Sequence, residues 1–248
     1  MKNVLLLYCM RKRDCPCDGF CYNPRTEIRD NHTDCCILSG ATFHVKNFAD
    51  NKMNHINLNE PMQEQLKAHI SRTIELTNEE YEFIGSHFNK RKFKKHQYLI
   101  QPGEPVRHHY FVLSGLLKLV YTADTGKEHI ISFAAEDWWE SDFQAFFMQS
   151  SATMSLECIE DTEVLCLTLK DYQILCEKSH KMALFFLQKA NSGFIAAQQR
   201  IISTMTSEAR ARFEQVQKRY PFLVQRVPKR LLAAYIGVSR ETLSRLHP

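Results

Sequence analysis

The last twenty residues read Lys229-Arg230-Leu231-Leu232-Ala233-Ala234-Tyr235-Ile236-Gly237-Val238-Ser239-Arg240-Glu241-Thr242-Leu243-Ser244-Arg245-Leu246-His247-Pro248. Counted from Lys229, the fifth position is Ala233, where two crossing helices need a small residue, and the ninth is Gly237, where a sharp turn favours positive φ. The fourth, eighth, tenth, fifteenth and eighteenth positions are Leu232, Ile236, Val238, Leu243 and Leu246, the apolar wedge between the helices. The pattern is that of a helix-turn-helix, with helices expected over Lys229–Ile236 and Ser239–Leu246. Ser239 then caps the second helix, and Arg240, Glu241 and Arg245 lie along its exposed face. Arginine pairs bidentately with guanine O6/N7, and glutamate accepts from cytosine N4. Thr242, Ser244 and Ser239 are placed to meet phosphates. Lys229 and Arg230, at the start of the first helix, are placed to set the register on a nucleic-acid backbone.

Charge supports this reading. The chain of 248 residues carries 32 Lys and Arg against 28 Asp and Glu, a net charge of +4 that alone implies no partner. Thr206 to Pro248, however, holds nine Lys/Arg and three Asp/Glu, so the basicity gathers around the motif. With 44% hydrophobic and 24% charged residues, the composition is that of a globular protein of one or two domains. No apolar run approaches the ~20 residues of a membrane span, so no membrane association is expected.

Upstream of the motif, Glu208–Arg219 reads as a helix ending before Pro221. Lys181–Thr204 reads as one long helix, without proline and with only Gly193 inside. Leu187, Phe194 and Ile201 recur every seven residues, and Ala190, Ala197 and Thr204 form a small-residue series offset by three. That spacing suits a helix pairing with a second copy of itself.

Further upstream the period changes. Short strands fit Tyr98–Ile100, Tyr110–Leu113, Leu116–Thr122, His129–Phe133, Met154–Cys158 and Val164–Thr168, with a hairpin turn at Asp124-Thr125-Gly126. Their spacing and glycine turns predict an antiparallel sandwich or barrel. Helices are expected near Met62–Ile74, Asn78–Phe88 and Asp171–Lys178. Asn89–His96, with five Lys/Arg in eight residues, reads as a solvated edge or an electrostatic contact patch.

The first 52 residues differ. Six of the nine cysteines lie there: Cys9, Cys15, Cys17, Cys21, Cys35 and Cys36. The spacing lacks the paired knuckles of a zinc or iron–sulfur site, so no metal is expected. This Cys-rich tail, 1–52, is expected to be disordered or to precede a native start at Met53 or Met62. Cys158, Cys166 and Cys176 sit in apolar surroundings and read as buried thiols of a reducing, cytoplasmic compartment. No Gly-rich phosphate loop, G-x-S-x-G or H-E-x-x-H occurs, and the eleven histidines lack metal spacing, so an enzyme is not expected.

The run Ile236–Leu246 resembles the DNA-reading segment of the Crp/Fnr transcription regulators, the catabolite activator type. The order of elements matches too, over about Leu76 to Pro248. The resemblance implies an α+β chain: a cyclic-nucleotide-binding-like β-roll (jelly-roll) over 62–180, a dimerisation helix over 181–204, and a helix-turn-helix over 206–248. The last would be winged-helix-like, with its wing short or absent. It implies that Arg240, Glu241 and Arg245 read bases, that a homodimer reads a palindromic double-stranded DNA site, and that RNA polymerase is a further partner. Two departures bear on the effector. Members that bind cyclic nucleotides carry Gly-Glu at the start of a phosphate-binding stretch and Arg near its end. Here those stretches read Asp137-Trp138-Trp139-Glu140-Ser141-Asp142-Phe143 and Ser150-Ser151-Ala152-Thr153-Met154, with Ala152 at the arginine position and no arginine between Arg107 and Arg200. A buried phosphate without a cation is costly, so cAMP is not expected and no cofactor is implied. Trp138, Trp139, Glu140, Ser151 and Thr153, with Phe143, Phe146 and Phe147, would line a pocket for an unknown apolar or planar effector, or the aromatics are plain core. The iron–sulfur branch of the family would need Cys15, Cys17, Cys21 and Cys158 at a different spacing. Two readings of function stand: a DNA-binding regulator with a sensory roll, and a ligand-binding or protein-interaction module whose shortened helix-turn-helix no longer reads DNA.

Overall fold

The computed structural model describes residues 62–246. The Cys-rich segment 1–52 and the question of a wing beyond Leu246 lie outside the described residues. Two helices open the described chain, α1 (Met62–Ser71) and α2 (Asn78–Gly85). α1 stops three residues before the expected Ile74. Thr77 starts α2 through a capping box, its side chain accepting from the Glu80 amide while Glu80 accepts from the Thr77 amide.

Eight strands follow: β1 (Asn89–Phe93), β2 (Tyr98–Ile100), β3 (His108–Ser114), β4 (Leu117–Thr122), β5 (Glu128–Ala134), β6 (Trp139–Glu140), β7 (Met154–Cys158) and β8 (Thr162–Thr168), with a short helix α3 (Phe143–Met148) between β6 and β7. They form two four-stranded sheets, β1-β8-β3-β6 and β2-β7-β4-β5, with every named pairing antiparallel. Ile100, Val112, Leu117, Leu119, Leu156, Val164 and Phe146 fill the space between them. A fully buried side chain of this size contributes about 1.5–3 kcal/mol, and seven of them make a roll rather than two loose hairpins.

The basic run Asn89–His96 is the solvated edge of the two alternatives read from the sequence. Its first five residues form the edge strand β1, paired along its length with β8. Lys90 and Lys92 both meet Glu163, and Lys94 meets Asp161. Edge strands resist aggregation by carrying lysine, so the run is a charged edge partly matched by Glu163 and Asp161. β6 and α3 escaped the sequence reading because two and six residues are too few for a periodic signal.

Gly115, at φ +101°, turns the chain between β3 and β4. A Cβ there would stand 2.6 Å from the Asp161 carbonyl oxygen and 2.7 Å from the Thr162 Cα, so only glycine fits.

Helix α4 (Leu169–Lys178) leads to the long α5 (His180–Thr206), and the chain ends in α6 (Ala209–Arg219), α7 (Pro221–Arg226), α8 (Lys229–Ile236) and α9 (Arg240–Leu246). α5 begins with its apolar residues Met182, Phe185 and Phe186 packed with Leu66, Ile70, Phe111, Leu167 and Leu175. The α+β order read from the sequence, a roll followed by a long helix and terminal helices, is the order observed. Among the described residues no helix is long and apolar enough to cross a membrane.

Candidate nucleic-acid interface and effector segment

The α8–α9 turn forms as its composition requires. Gly237 takes φ +79° and ψ 41°, and its amide donates to the Ala233 carbonyl (2.9 Å) and more weakly to that of Ala234 (3.3 Å). The Val238 amide returns to the Ala233 carbonyl as well (3.0 Å), closing the helix end. Leu232, Ala233, Ile236 and Leu243 are buried, with Val238 and Leu246 packed against them. Ser239 caps α9 by accepting from the Thr242 amide (3.1 Å), and the two hydroxyls lie 3.2 Å apart. Both are thus engaged within the helix end.

Arg240, Glu241, Ser244 and Arg245 are exposed, as are Ser239, Lys229 and Arg230, while Thr242 is half-buried. Glu241 is held below the usual carboxylate value by its own amide and by the Ser239 hydroxyl. It therefore stays ionised as an acceptor and also supports the start of α9. Arg230 borders a cleft of about 390 Å³ between the helices and the roll, shared with Lys95, His96, Lys118, Glu128 and Glu157.

Three arginines that sequence reasoning missed hold this unit in place. Arg212 donates to the Ile236 carbonyl (2.8 Å) and to the Ser207 carbonyl, tying α6 to the α8–α9 turn. Arg200 donates to the carbonyls of Ile130 (2.8 Å) and Tyr235 (3.2 Å) and stands 4.0 Å over the Tyr235 ring. Arg226 bridges Glu136, Glu160 and the Gly115 carbonyl of the roll. A guanidinium's fork satisfies several acceptors at once. The only sequence sign was an arginine inside the apolar run Phe222–Val227. Beneath these bonds, Phe213, Leu223, Val227, Leu232 and Ile236 share a core with Leu116 of the β3–β4 turn and with Val120, Ile130 and Phe133 of the second sheet.

On α5, Leu187, Phe194 and Ile201 are 55%, 64% and 58% exposed. Leu184, Ile195, Ile202 and Met205 are exposed with them and widen the apolar stripe.

The five residues expected to line an effector pocket do not meet. β6 is the reason: successive side chains of a strand face opposite sides of the sheet. Trp139 turns into a cluster with Phe111 (5.0 Å between centroids), His109 (4.8 Å) and Phe186 (5.8 Å), and its indole donates to His69 Nε2 (3.3 Å). Glu140 turns the other way and accepts from the Ser132 hydroxyl and the Ser141 amide. Burial pushes its carboxyl up to about 7. Trp138 packs instead on Tyr220 (5.2 Å) and Phe222 (5.9 Å) of the terminal helices. Ser151 is exposed in a bridge to Pro105, and Thr153 is bonded to Asp142. Of the aromatics added to that list, Phe146 is core whereas Phe143 and Phe147 are exposed.

Two buried histidines lie beside this segment. Burial lowers His69 to about 4 and His109 to about 3, so both are neutral imidazoles. Cys158 and Cys166 are buried thiols as expected, and burial raises them to about 11 and about 12, whereas Cys176 is half-buried. Among the described residues no group of His, Cys, Asp or Glu is placed to hold a metal.

Residues 90–179 match the family model of the cyclic nucleotide-binding domain. No curated protein matches the chain by sequence. Among solved structures, FixK2 from Bradyrhizobium japonicum shares 16% identity at a TM-score of 0.55, with 64% of this chain and 82% of that one covered. CLP of Xanthomonas campestris, a global regulator responsive to c-di-GMP, shares 14% at 0.54, covering 68% and 89%. A Crp/Fnr-family transcriptional regulator from Eubacterium rectale shares 16% at 0.54, covering 69% and 82%. Residues 90–179 thus resemble the cyclic nucleotide-binding domain, and the chain shares the fold of these solved structures.

Glu140 is engaged by Ser132 and Ser141, and no arginine stands between Arg107 and Arg200. Lys118, the lysine buried in the roll, is committed to Glu157 at 2.7 Å.

Proposed function

We propose that this chain, a cyclic nucleotide-binding roll joined by a long helix to a helix-turn-helix, is a homodimeric DNA-binding transcription regulator acting in the cytoplasm. The observation that carries the reading is α9. It is capped, wedged on one face by Leu243 and Leu246, and free on the other, where Arg240, Glu241, Ser244 and Arg245 are exposed. At 1.5 Å rise per residue, Arg240 and Arg245 stand about 7 Å apart along the helix, roughly two base-pair steps. They contact bases, Glu241 discriminates between neighbours, and Ser244, Lys229 and Arg230 contact phosphates. The stripe of Leu187, Phe194 and Ile201 pairs two copies, so the site is palindromic. RNA polymerase is the partner through which such a dimer would act on transcription. No enzymatic step is part of the reading.

The test is to recover genomic fragments bound by the full chain, footprint them, and titrate at two salt concentrations. On the recovered site, Arg240→Ala or Arg245→Ala lowers affinity about tenfold to a hundredfold and leaves binding to random DNA nearly unchanged. Arg230→Ala weakens both equally and flattens the salt dependence. Equal losses on both DNAs for the α9 variants, or no salt-steep binding at all, overturns the reading in favour of a module that works through protein contacts.

A further inference from the structure

Asp142 is fully enclosed, with no exposed surface, and it has no lysine or arginine partner among the described residues. Its charge is held by neutral donors alone. Oδ1 accepts from the Ala145 amide (3.1 Å), the ordinary task of a helix cap. Oδ2 does something else. It accepts from the Thr153 amide (2.9 Å), the Thr153 hydroxyl (3.3 Å) and the Met154 amide (3.2 Å), all from the far side of the α3 excursion. Successive backbone amides aimed at one point form an anion cradle. Here the anion in the cradle belongs to the chain itself.

The neighbouring donors are committed as well. The Ala152 amide donates to the Glu104 carbonyl (2.8 Å) and the Ser150 amide to that of Ala145 (3.1 Å). The stretch 150–154 thus keeps no described amide, apart from that of Ser151, free of a named acceptor. An incoming phosphate would have to displace Asp142 from Thr153 and Met154, and would stand near a second buried acid, Glu140. A buried anion beside buried carboxylates, without a cation, is strongly disfavoured.

We propose that the Asp142 carboxylate is a resident anion. It fills from within the cradle in which a cyclic nucleotide-binding domain would hold a phosphate, so this roll does not take up cyclic nucleotides. The proposal concerns the roll alone and holds or fails whether or not α9 reads DNA.

Thermal unfolding of the full chain tests it. The wild-type midpoint does not move with millimolar cAMP or cGMP. Asp142→Ala leaves four donors around an empty space and lowers the midpoint by about 10 °C. Formate, the missing carboxylate without its side chain, restores part of that loss, whereas chloride at matched ionic strength does not. A saturable rise of the wild-type midpoint with either cyclic nucleotide overturns the proposal. So does an Asp142→Ala protein as stable as wild type, or one blind to formate. If the alanine variant fails to fold, Asp142→Asn takes its place. That variant keeps the shape, loses the charge and melts below wild type, and an unchanged midpoint counts against the resident anion.

Discussion

Replacing Arg226 with alanine measures how firmly the terminal helices are held to the roll. The guanidinium donates to Glu136 from Nη1 (2.7 Å) and Nη2 (3.0 Å), to Glu160 from Nη2 (2.7 Å) and Nε (3.2 Å), and to the Gly115 carbonyl (3.0 Å). The two carboxylates raise its already high proton affinity further. Partial burial pushes Glu136 up, but the Arg226 bond, its own amide and the Gly115 amide together outweigh this and hold it below the usual value. An enclosed charge-assisted hydrogen bond is worth about 1.5–3 kcal/mol. Here the arginine is 27% exposed and the glutamates 40% and 35%, so water screens the pairs. About 1 kcal/mol per ion pair is the appropriate scale. Without the arginine, Glu136 and Glu160 face each other within a few ångströms, which adds about 1 kcal/mol of repulsion. The expected loss for Arg226→Ala is about 3 kcal/mol, or roughly 6–12 °C in the unfolding midpoint for a chain of this size. Calorimetry of three proteins checks the logic: wild type, Arg226→Ala, and Arg226→Ala combined with Glu136→Gln and Glu160→Gln. The triple variant regains about 1 kcal/mol because the repulsion is gone. A single variant within about 1 °C of wild type refutes the clamp, and a triple variant less stable than the single refutes the repulsion.

Three further outcomes follow from other sites. Gly115→Ala forces a Cβ against backbone atoms at 2.6 and 2.7 Å and costs about 3 kcal/mol or more, whereas Gly237→Ala meets nothing closer than Arg212 Nη2 at 4.0 Å and costs only about 1 kcal/mol of left-handed strain. Urea unfolding that finds equal costs contradicts this. His69 and His109, lowered from 6.5 to about 4 and about 3, contribute stability that is present above 6.5 and lost as pH falls. Glu140, raised from 4.5 to about 7, contributes stability that is lost as pH rises between those values. Glu140→Gln therefore removes the loss between pH 4.5 and 7 and is more stable than wild type above pH 7 by up to about 3 kcal/mol; a variant no more stable than wild type at pH 7.5 shows that the carboxyl is not the cause. Phe194→Glu puts a charge into the centre of the α5 stripe and yields monomers in sedimentation, with palindrome affinity falling in step; an intact dimer moves the interface elsewhere.

The terminal motif was legible because its requirements are local. A small residue, a left-handed glycine and five apolar positions within twenty residues define the turn and the wedge, and the structure places Ala233, Gly237 and the leucines accordingly. The Leu187–Phe194–Ile201 repeat was legible for the same reason: a seven-residue period leaves one face apolar wherever the helix goes. The strands of the roll and its glycine turn at Gly126 followed from alternation and turn chemistry. What the sequence could not order was the segment from Glu136 to Asp142. Each of its side chains finds a partner outside the segment: Glu136 on Arg226, Asp137 on Gln65 and Arg72, Trp138 on Tyr220, Trp139 on His69, Glu140 on Ser132, Ser141 on the His108 carbonyl, Asp142 on Thr153. In sequence it is a run of aromatics and acids that suggests a pocket. In space the pleat of a two-residue strand sends Trp139 and Glu140 to opposite sides. Local pattern thus determined which helices form and which faces stay free. Only the packed roll decided where these seven adjacent side chains point, because direction there depends on strand pairing and packing with other elements rather than on neighbours in sequence.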